Sequence, residues 1–193
     1  MAFTWFEIRR QLFHAALGLL IVFLIHYDLI SALHLFILFS IGIIISIICK
    51  KYHVPIFKWF LKYFDRRYVC MPGEGVLYYV FGCFLVVGIF PKNIALASIM
   101  ILALGDSVST VVGKNFGRKK VRGYKTWLGA FAGMFFGTLG AVIFVPFHFA
   151  ILASVITMFI EAYEMRFLRK VINDNLYIPV ISSIIMYLLM VII

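Results

Sequence analysis

The residues best suited to chemistry lie in the segment 104–125. Asp106 stands in an apolar run with no cation beside it in the sequence. A carboxylate at such a depth in an apolar helix generally faces a cavity, an ion or a partner. On a helix, Ser109, Thr110 and Gly113 share its face. This face is small and polar enough for a ligand to approach.

A basic loop follows Asp106. Its cations are Lys114, Arg118, Lys119, Lys120, Arg122 and Lys125, interleaved with glycines. Lysine and arginine bind phosphate, glycine lets the backbone approach a ligand, and a carboxylate suits Mg²⁺. These features indicate a nucleotide site at a membrane surface. A plainer interpretation is that the loop only marks the cytosolic side and that Asp106 bonds a neighbouring helix.

Two further acidic residues are expected on the same side of the membrane as Asp106. Glu161 lies near the end of the sixth predicted span. Asp174 precedes the last span, where an Asp also serves to cap a helix. Three acids beside one basic loop favour a metal-assisted phosphate site over three unrelated positions.

Near the N-terminus, Glu7, Arg10 and His14 are spaced three and four residues apart, so they share one helical face. Two interpretations remain open. Glu7 and Arg10 could simply pair while His14 makes a packing contact, or the face could point into a cavity at the cytosolic end.

The composition indicates an integral membrane protein with a single domain over residues 1–193. Hydrophobic residues make up 64% of the chain and charged residues 13%, which is more apolar surface than a soluble domain buries. Long uncharged runs suit helices, so we expect an all-α bundle. The net charge of +10 lies in short loops and reflects topology, with no nucleic-acid partner expected.

Seven transmembrane helices are predicted, together with an interfacial amphipathic helix at 51–67. The spans are expected at 12–27, 31–49, 75–90, 93–112, 127–145, 147–163 and 176–193. Apart from Lys92, all of the 18 Lys and Arg residues fall in the N-terminal segment and in alternate loops. This places the N-terminus and the active site in the cytosol and the C-terminus on the opposite side. Gly129, Gly133 and Gly137 form a smooth ridge for close helix packing.

Four segments, in order, resemble the family of CTP-dependent lipid kinases, which includes dolichol kinase, phytol kinase and yeast-type diacylglycerol kinase. They are EIRRQLFH, GEGVLYYVFG, LALGDSVSTVVGKNFGRKK with YKTWLG, and Glu161 followed by NDNLYIP. The chain is also distantly similar to phosphatidate cytidylyltransferases. The resemblance spans nearly the whole chain. Leu128 departs from it, because the family often has Glu at that position.

The resemblance implies a kinase that transfers phosphate from CTP to the hydroxyl of a membrane lipid alcohol of polyprenol or dolichol type, with Mg²⁺ as cofactor. It implies catalytic roles for Asp106, Glu161, His14 and Arg10, with Glu161 and His14 as alternative bases, and metal binding by Asp106 and Asp174. The implied nucleotide-binding residues are Lys114, Asn115, Arg118, Lys119, Lys120, Lys125, Thr126, Asp174 and Asn175. No P-loop or protein-kinase signature is present.

Two other functions fit parts of the pattern. A cytidylyltransferase would join CMP to a lipid phosphate and release pyrophosphate, whereas a kinase would release CDP. A small transporter would use acids near the midplane of the membrane, often within inverted repeats, and no repeat is visible here. The membrane is expected to be the plasma membrane in a prokaryote or the endoplasmic reticulum in a eukaryote. The oligomeric state stays open, a homodimer included.

Overall fold

The computed structural model describes residues 5–52, 63, 71–121, 123, 125–163, 166–167 and 170–192. Within these ranges the chain forms seven helices, which confirms the all-α prediction. The helices are α1 (Trp5–His26), α2 (Ala32–Lys51), α3 (Glu74–Ile89), α4 (Lys92–Phe116), α5 (Trp127–Ala141), α6 (Phe147–Ala162) and α7 (Asp174–Ile192). Two short antiparallel strands, β1 (Arg166–Phe167) and β2 (Lys170–Val171), lie between α6 and α7.

Four of these helices, α1, α2, α4 and α7, are long and apolar enough to cross a membrane. The apolar helices α3, α5 and α6 are shorter. Each of the seven overlaps one predicted span, although α1 begins earlier than predicted, at Trp5, and α5 ends earlier, at Ala141. Of the interfacial segment 51–67, the structure describes only residues 51, 52 and 63, so that prediction lies outside the described residues and stays a prediction.

Helix α4 forms the centre of the bundle and α2 its edge. The buried share of the most apolar stretch is 83% in α4 but only 11% in α2. Large apolar side chains are exposed on the outer helices, for example Leu12, Ile44 and Phe135. An apolar outer surface around a buried central helix is what a membrane bundle requires, because lipid tails cover the outside.

The helices alternate in direction, and this collects the polar residues at one end. Lys114, near the end of α4, pairs with Glu7 in the first turn of α1. Asn175, at the start of α7, bonds the carbonyl of Gly75 at the start of α3. At the other end of the bundle, Lys92 contacts a carboxylate after α1.

Helices α4 and α5 approach backbone to backbone along the predicted glycine ridge. A Cβ added at Gly129 would lie 2.5 Å from the carbonyl oxygen of Ser109 and 2.9 Å from the Cα of Gly113. A Cβ at Gly133 would lie 2.9 Å from the carbonyl oxygen of Gly105. Small residues permit this approach, and a membrane bundle gains dispersion contacts from it.

The middle of α4, Ile101–Asp106, is π-helical. Each π turn holds about one residue more than an α turn, so it rotates the following residues around the helix axis. Asp106 closes this segment and is buried. Wide turns of this kind occur frequently at functional sites, and the apolar sequence ILALGD contains no signal that predicts one.

Candidate active site

Lys125 lies at the centre of three carboxylates from three helices. Its Nζ is 3.8 Å from Oδ1 of Asp106 on α4 and 4.0 Å from Oδ2 of Asp174 on α7, and it pairs with Oε1 of Glu161 on α6. Asp106, Glu161 and Lys125 are buried, whereas the Asp174 side chain is 20% exposed. The structure therefore brings all three acids together with Lys125 of the basic loop.

Backbone contacts hold Lys125 in place at the entrance to α5. Thr126 caps this helix, because its Oγ1 accepts a hydrogen bond from the Gly129 nitrogen at 3.2 Å. The carbonyl oxygen of Lys125 accepts from the Val121 nitrogen at 2.9 Å. A Cβ at Gly117 would lie 2.2 Å from the Thr126 Oγ1. The loop is thus folded back tightly against the end of α4, which directs the Lys125 side chain inwards.

Asp106 also faces helix α1. Its Oδ2 is 3.7 Å from Nε2 of His14, whose ring packs edge-on against Tyr79 with a centroid distance of 4.5 Å. Among the described residues, Oδ1 of Asp106 and Oγ of Ser107 are buried without a hydrogen-bond partner. Each unsatisfied polar group costs about 1–3 kcal/mol, so these atoms indicate a place for water or a ligand. Sequence reasoning missed Tyr79, although it lies within the glycine-rich GEGVLYYVFG segment.

Glu7 links α1 to the end of α4. It accepts from Arg10 on its own helix, and its Oε2 lies 2.9 Å from Nζ of Lys114. Gln11 approaches the other oxygen at 3.5 Å. The predicted Glu7–Arg10 pair is therefore present. Glu7 also binds Lys114, so it holds two cations, Arg10 and Lys114, side by side near the carboxylates around Lys125.

The side chains of Asp174 and Asn175 contact different parts of the protein. Oδ1 of Asp174 accepts from the Asn175 backbone nitrogen at 3.1 Å, while its Oδ2 faces Lys125. Asn173, the residue before α7, also accepts from this nitrogen at 3.1 Å and so occupies the capping position, whereas Asp174 is the first residue of the helix and faces the site. The amide nitrogen of Asn175 donates to the Gly75 carbonyl at 2.9 Å, so this side chain joins α7 to α3.

The outer cations lie apart from the carboxylates. Arg118, Lys119 and Lys120 are exposed beyond the end of α4. The side chain of Asn115 bonds the Val111 carbonyl of its own helix at 2.8 Å. In the part of the basic loop that the structure describes, Lys125 is buried beside the acids, and Arg118, Lys119 and Lys120 face the surroundings.

A small cavity adjoins the cluster and has a volume of about 10 Å³. Its lining residues include Ser109, Thr110, Lys114, Lys125 and Glu161. This volume holds about one water molecule.

The carboxylates suit Mg²⁺, which also takes ligands from phosphate and water, better than they suit a metal ion that only protein side chains bind. In the described part of the chain, no three His, Cys, Asp or Glu side chains are arranged to hold a metal ion. Mg²⁺ usually binds one or two carboxylates and completes its shell with phosphate oxygens and water. Asp106 and Asp174 match this kind of coordination, because both carboxylates lie close to the Lys125 Nζ. In addition, Oδ1 of Asp106 has no hydrogen-bond partner among the described residues.

The site defines a class of protein: a membrane helical bundle with an acidic cluster and cations at one polar end.

Two relatives match most of the chain, an uncharacterised protein of Methanocaldococcus jannaschii and one of Rickettsia prowazekii. The first is 29% identical over 183 residues, covering 93% of this chain and 92% of the relative. The second is 28% identical over 188 residues, covering 90% of each.

A third relative has a named activity. The chain is 27% identical over 136 residues to CTP-dependent diacylglycerol kinase 1 of Schizosaccharomyces pombe, and the match covers 61% of this chain and 61% of that protein. No family model and no solved structure matches the chain.

Proposed function

We propose that this protein is a CTP-dependent lipid kinase, which transfers the terminal phosphate of CTP to the hydroxyl of a membrane lipid alcohol. The supporting observation is the cluster in which Lys125 faces Asp106, Glu161 and Asp174 at the polar end of an apolar bundle. The similarity to a CTP-dependent diacylglycerol kinase supports the choice of nucleotide and of a lipid acceptor. A polyprenol or dolichol-type alcohol is the acceptor we propose first, and diacylglycerol is the next.

Phosphoryl transfer depends mainly on positioning and on neutralising charge at the phosphates. In this proposal Arg10 and Lys114, held side by side by Glu7, bind phosphate oxygens at the mouth of the site. The exposed Lys119 and Lys120 attract the nucleotide. Asp106 and Asp174 hold Mg²⁺, which supplies charge neutralisation at the phosphates.

His14 is the base that we assign to the lipid hydroxyl. Its Nε2 is buried, has no hydrogen-bond partner among the described residues and points towards Asp106. Glu161, the alternative base, is already paired with Lys125. Proton removal by a side chain contributes roughly 10²–10⁴-fold to a rate.

The test is a transfer assay with purified protein in mixed micelles. CTP labelled at the γ-phosphate or at the α-phosphate is offered with polyprenol, dolichol, phytol, farnesol or diacylglycerol, and in parallel with the phosphate monoester of each. A kinase moves only the γ-label into lipid and releases CDP. Incorporation of the α-label, with pyrophosphate released and a lipid phosphate required, would instead identify a cytidylyltransferase. Absence of both labels across the panel would contradict the proposal.

A further inference from the structure

Asn175 joins the start of α7 to α3 at two points. Its side-chain nitrogen donates to the Gly75 carbonyl at 2.9 Å. Its own carbonyl oxygen also lies against α3, because a Cβ added at Gly82 would be 2.5 Å from it. The residue four positions later is Pro179, which has no N–H to donate to this carbonyl. The backbone of α3 therefore covers an oxygen that α7 leaves without its helical partner.

These two points of attachment lie on either side of Tyr79. Gly75 is about one helical turn before Tyr79 and Gly82 about one turn after it, so the three residues share one face of α3. The Gly75 carbonyl, which accepts from Asn175, is also the acceptor that an α-helix provides for the N–H of Tyr79. Asn175 therefore fixes the part of α3 that carries Tyr79.

Tyr79 spans the space between α3 and α1. Its side chain is fully enclosed, and its ring packs edge-on against His14 with a centroid distance of 4.5 Å. The phenol oxygen lies against Gly18, one turn after His14, where an added Cβ would overlap it. The backbone of Leu102 on α4 contacts the same imidazole. Because the Tyr79 ring is enclosed, a shift of α3 must also shift the His14 ring.

We propose that Asn175 is a positioning residue for His14. It fixes α3 against the start of α7, and Tyr79 in turn holds the imidazole, whose Nε2 lies 3.7 Å from Oδ2 of Asp106. This inference rests on the proposed function, in which His14 is the base for the lipid hydroxyl. It gives Asn175 a role inside the bundle in place of the nucleotide contact that the family resemblance implies, because the side-chain nitrogen faces α3.

The first experiment follows the ring resonances of His14 by NMR. Nucleotide-free protein with ¹³C-labelled histidine is studied in detergent at one fixed pH. His14 is one of five histidines, and its signal is the one missing from His14→Asn. Tyr79→Leu should move this signal, because the neighbouring aromatic ring is gone, whereas Tyr79→Phe should keep it near the wild-type position. Asn175→Ala should move it in the same direction as Tyr79→Leu.

The matched control is Ser182→Ala, on the same helix as Asn175. The Ser182 hydroxyl is buried and bonds the carbonyls of Ile178 and Pro179 within α7, so this variant loses a buried hydrogen bond that does not reach α3. Its His14 signal should stay at the wild-type position. An unmoved His14 signal in folded Asn175→Ala would overturn the inference.

A double variant tests whether Asn175 acts through Tyr79. In the Tyr79→Leu protein, adding Asn175→Ala should produce no further shift of the His14 signal, because the connecting ring is already absent. A further shift as large as the one in the wild-type background would overturn the inference. If Asn175→Ala does not fold, Asn175→Asp replaces it, since it keeps the size and places an oxygen opposite the Gly75 carbonyl. Failure of both variants to fold would show that Asn175 supports the whole bundle, which would also overturn the inference.

The transfer assay then separates positioning from nucleotide binding. A misplacement of about 1 Å can cost a hundredfold in rate, so kcat of Asn175→Ala should fall by about ten- to a hundredfold. The KM for CTP should stay unchanged, because the side chain does not touch the nucleotide. A raised KM with unchanged kcat would assign Asn175 to the nucleotide instead. If the wild-type protein transfers no phosphate, the proposed function fails, but the NMR result still decides whether Asn175 positions His14.

Discussion

Asp106 combines burial, an unpartnered oxygen and two nearby basic groups, His14 and Lys125. Asp106→Asn keeps the size of the side chain but removes the charge that a hard cation needs. We expect turnover to fall by several orders of magnitude, while the melting temperature in detergent changes little. A merely structural Asp would tolerate Asn, because interhelical hydrogen bonds in membranes average only about 0.6 kcal/mol.

The control for this prediction is Asp28→Asn at the opposite end of the bundle, where Asp28 pairs with Lys92 and its side chain is 81% exposed. It should leave lipid phosphorylation unchanged. Near-normal activity of Asp106→Asn, measured as kcat with saturating CTP and Mg²⁺, would remove Asp106 from the proposed mechanism.

At the residue level, much of the arrangement could be predicted from residue type and charge pattern. Acids in apolar segments are costly, so Asp106, Glu161 and Asp174 were expected at one end, and the structure brings them together around Lys125. The catalytic roles of these residues stay predictions. The contact of Tyr79 with His14 could not be predicted, since an aromatic residue in an apolar helix has no distinguishing feature. Glu7 contacts both Arg10 and Lys114. The contact with Lys114 depends on how α1 packs against α4, which the spacing of residues within α1 does not predict.

Among the elements, the close α4–α5 contact is the one that holds the lysine against the acids. Gly129→Ala would bring a methyl group against the backbone carbonyl of Ser109, and a backbone atom cannot rotate away as a side chain can. We expect the free energy of unfolding to fall by about 1–3 kcal/mol. The rate of phosphate transfer should fall by more than this loss of stability accounts for, because Lys125 and the carboxylates then separate. Thermal unfolding in detergent and the transfer assay measure the two effects.

The matched control is Gly88→Ala on α3. A Cβ there would meet Ala32 at 3.8 Å, which is ordinary van der Waals contact. This variant should match the wild type in both measurements. Equal behaviour of the two alanine variants would mean that the α4–α5 approach does not position the site.

The helices themselves follow from long apolar runs bounded by Pro, Gly and charged residues, and so their predicted positions agree with the structure. The π-helical segment Ile101–Asp106 does not follow in this way. The segment packs against α1, α5, α6 and α7, and its six residues carry no pattern that distinguishes a wide turn from an ordinary α-helical one.

For the whole molecule, alternating helix directions place the two ends of the bundle on opposite sides of the membrane, and the positive charges of the polar end predict that this end is cytosolic. Lys119 lies at the polar end and Asn93 at the opposite end, and both are exposed. In a variant with the three native cysteines replaced by Ser, a membrane-impermeant maleimide should label Lys119→Cys in inverted vesicles only. It should label Asn93→Cys in right-side-out vesicles only. Labelling of both positions from one side would contradict the alternation, and the reverse pattern would place the site outside the cytosol.

The short helices beside the site have a consequence for the bilayer itself. Helices α5 and α6 contain 15 and 16 residues, or about 23 Å of helix each, whereas the hydrocarbon core of a bilayer is ~30 Å thick. Such a mismatch is relieved by local thinning of the lipid. The polar end would then lie at the bottom of a depression in the membrane surface, where a hydroxyl held in the leaflet and a water-soluble triphosphate reach the same depth.

We therefore expect the specific activity in vesicles to rise as the acyl chains shorten from 18 to 14 carbons, roughly two- to fivefold for a mismatch cost of fractions of a kcal/mol per Å. Activity independent of chain length would indicate that the bilayer does not thin around this bundle.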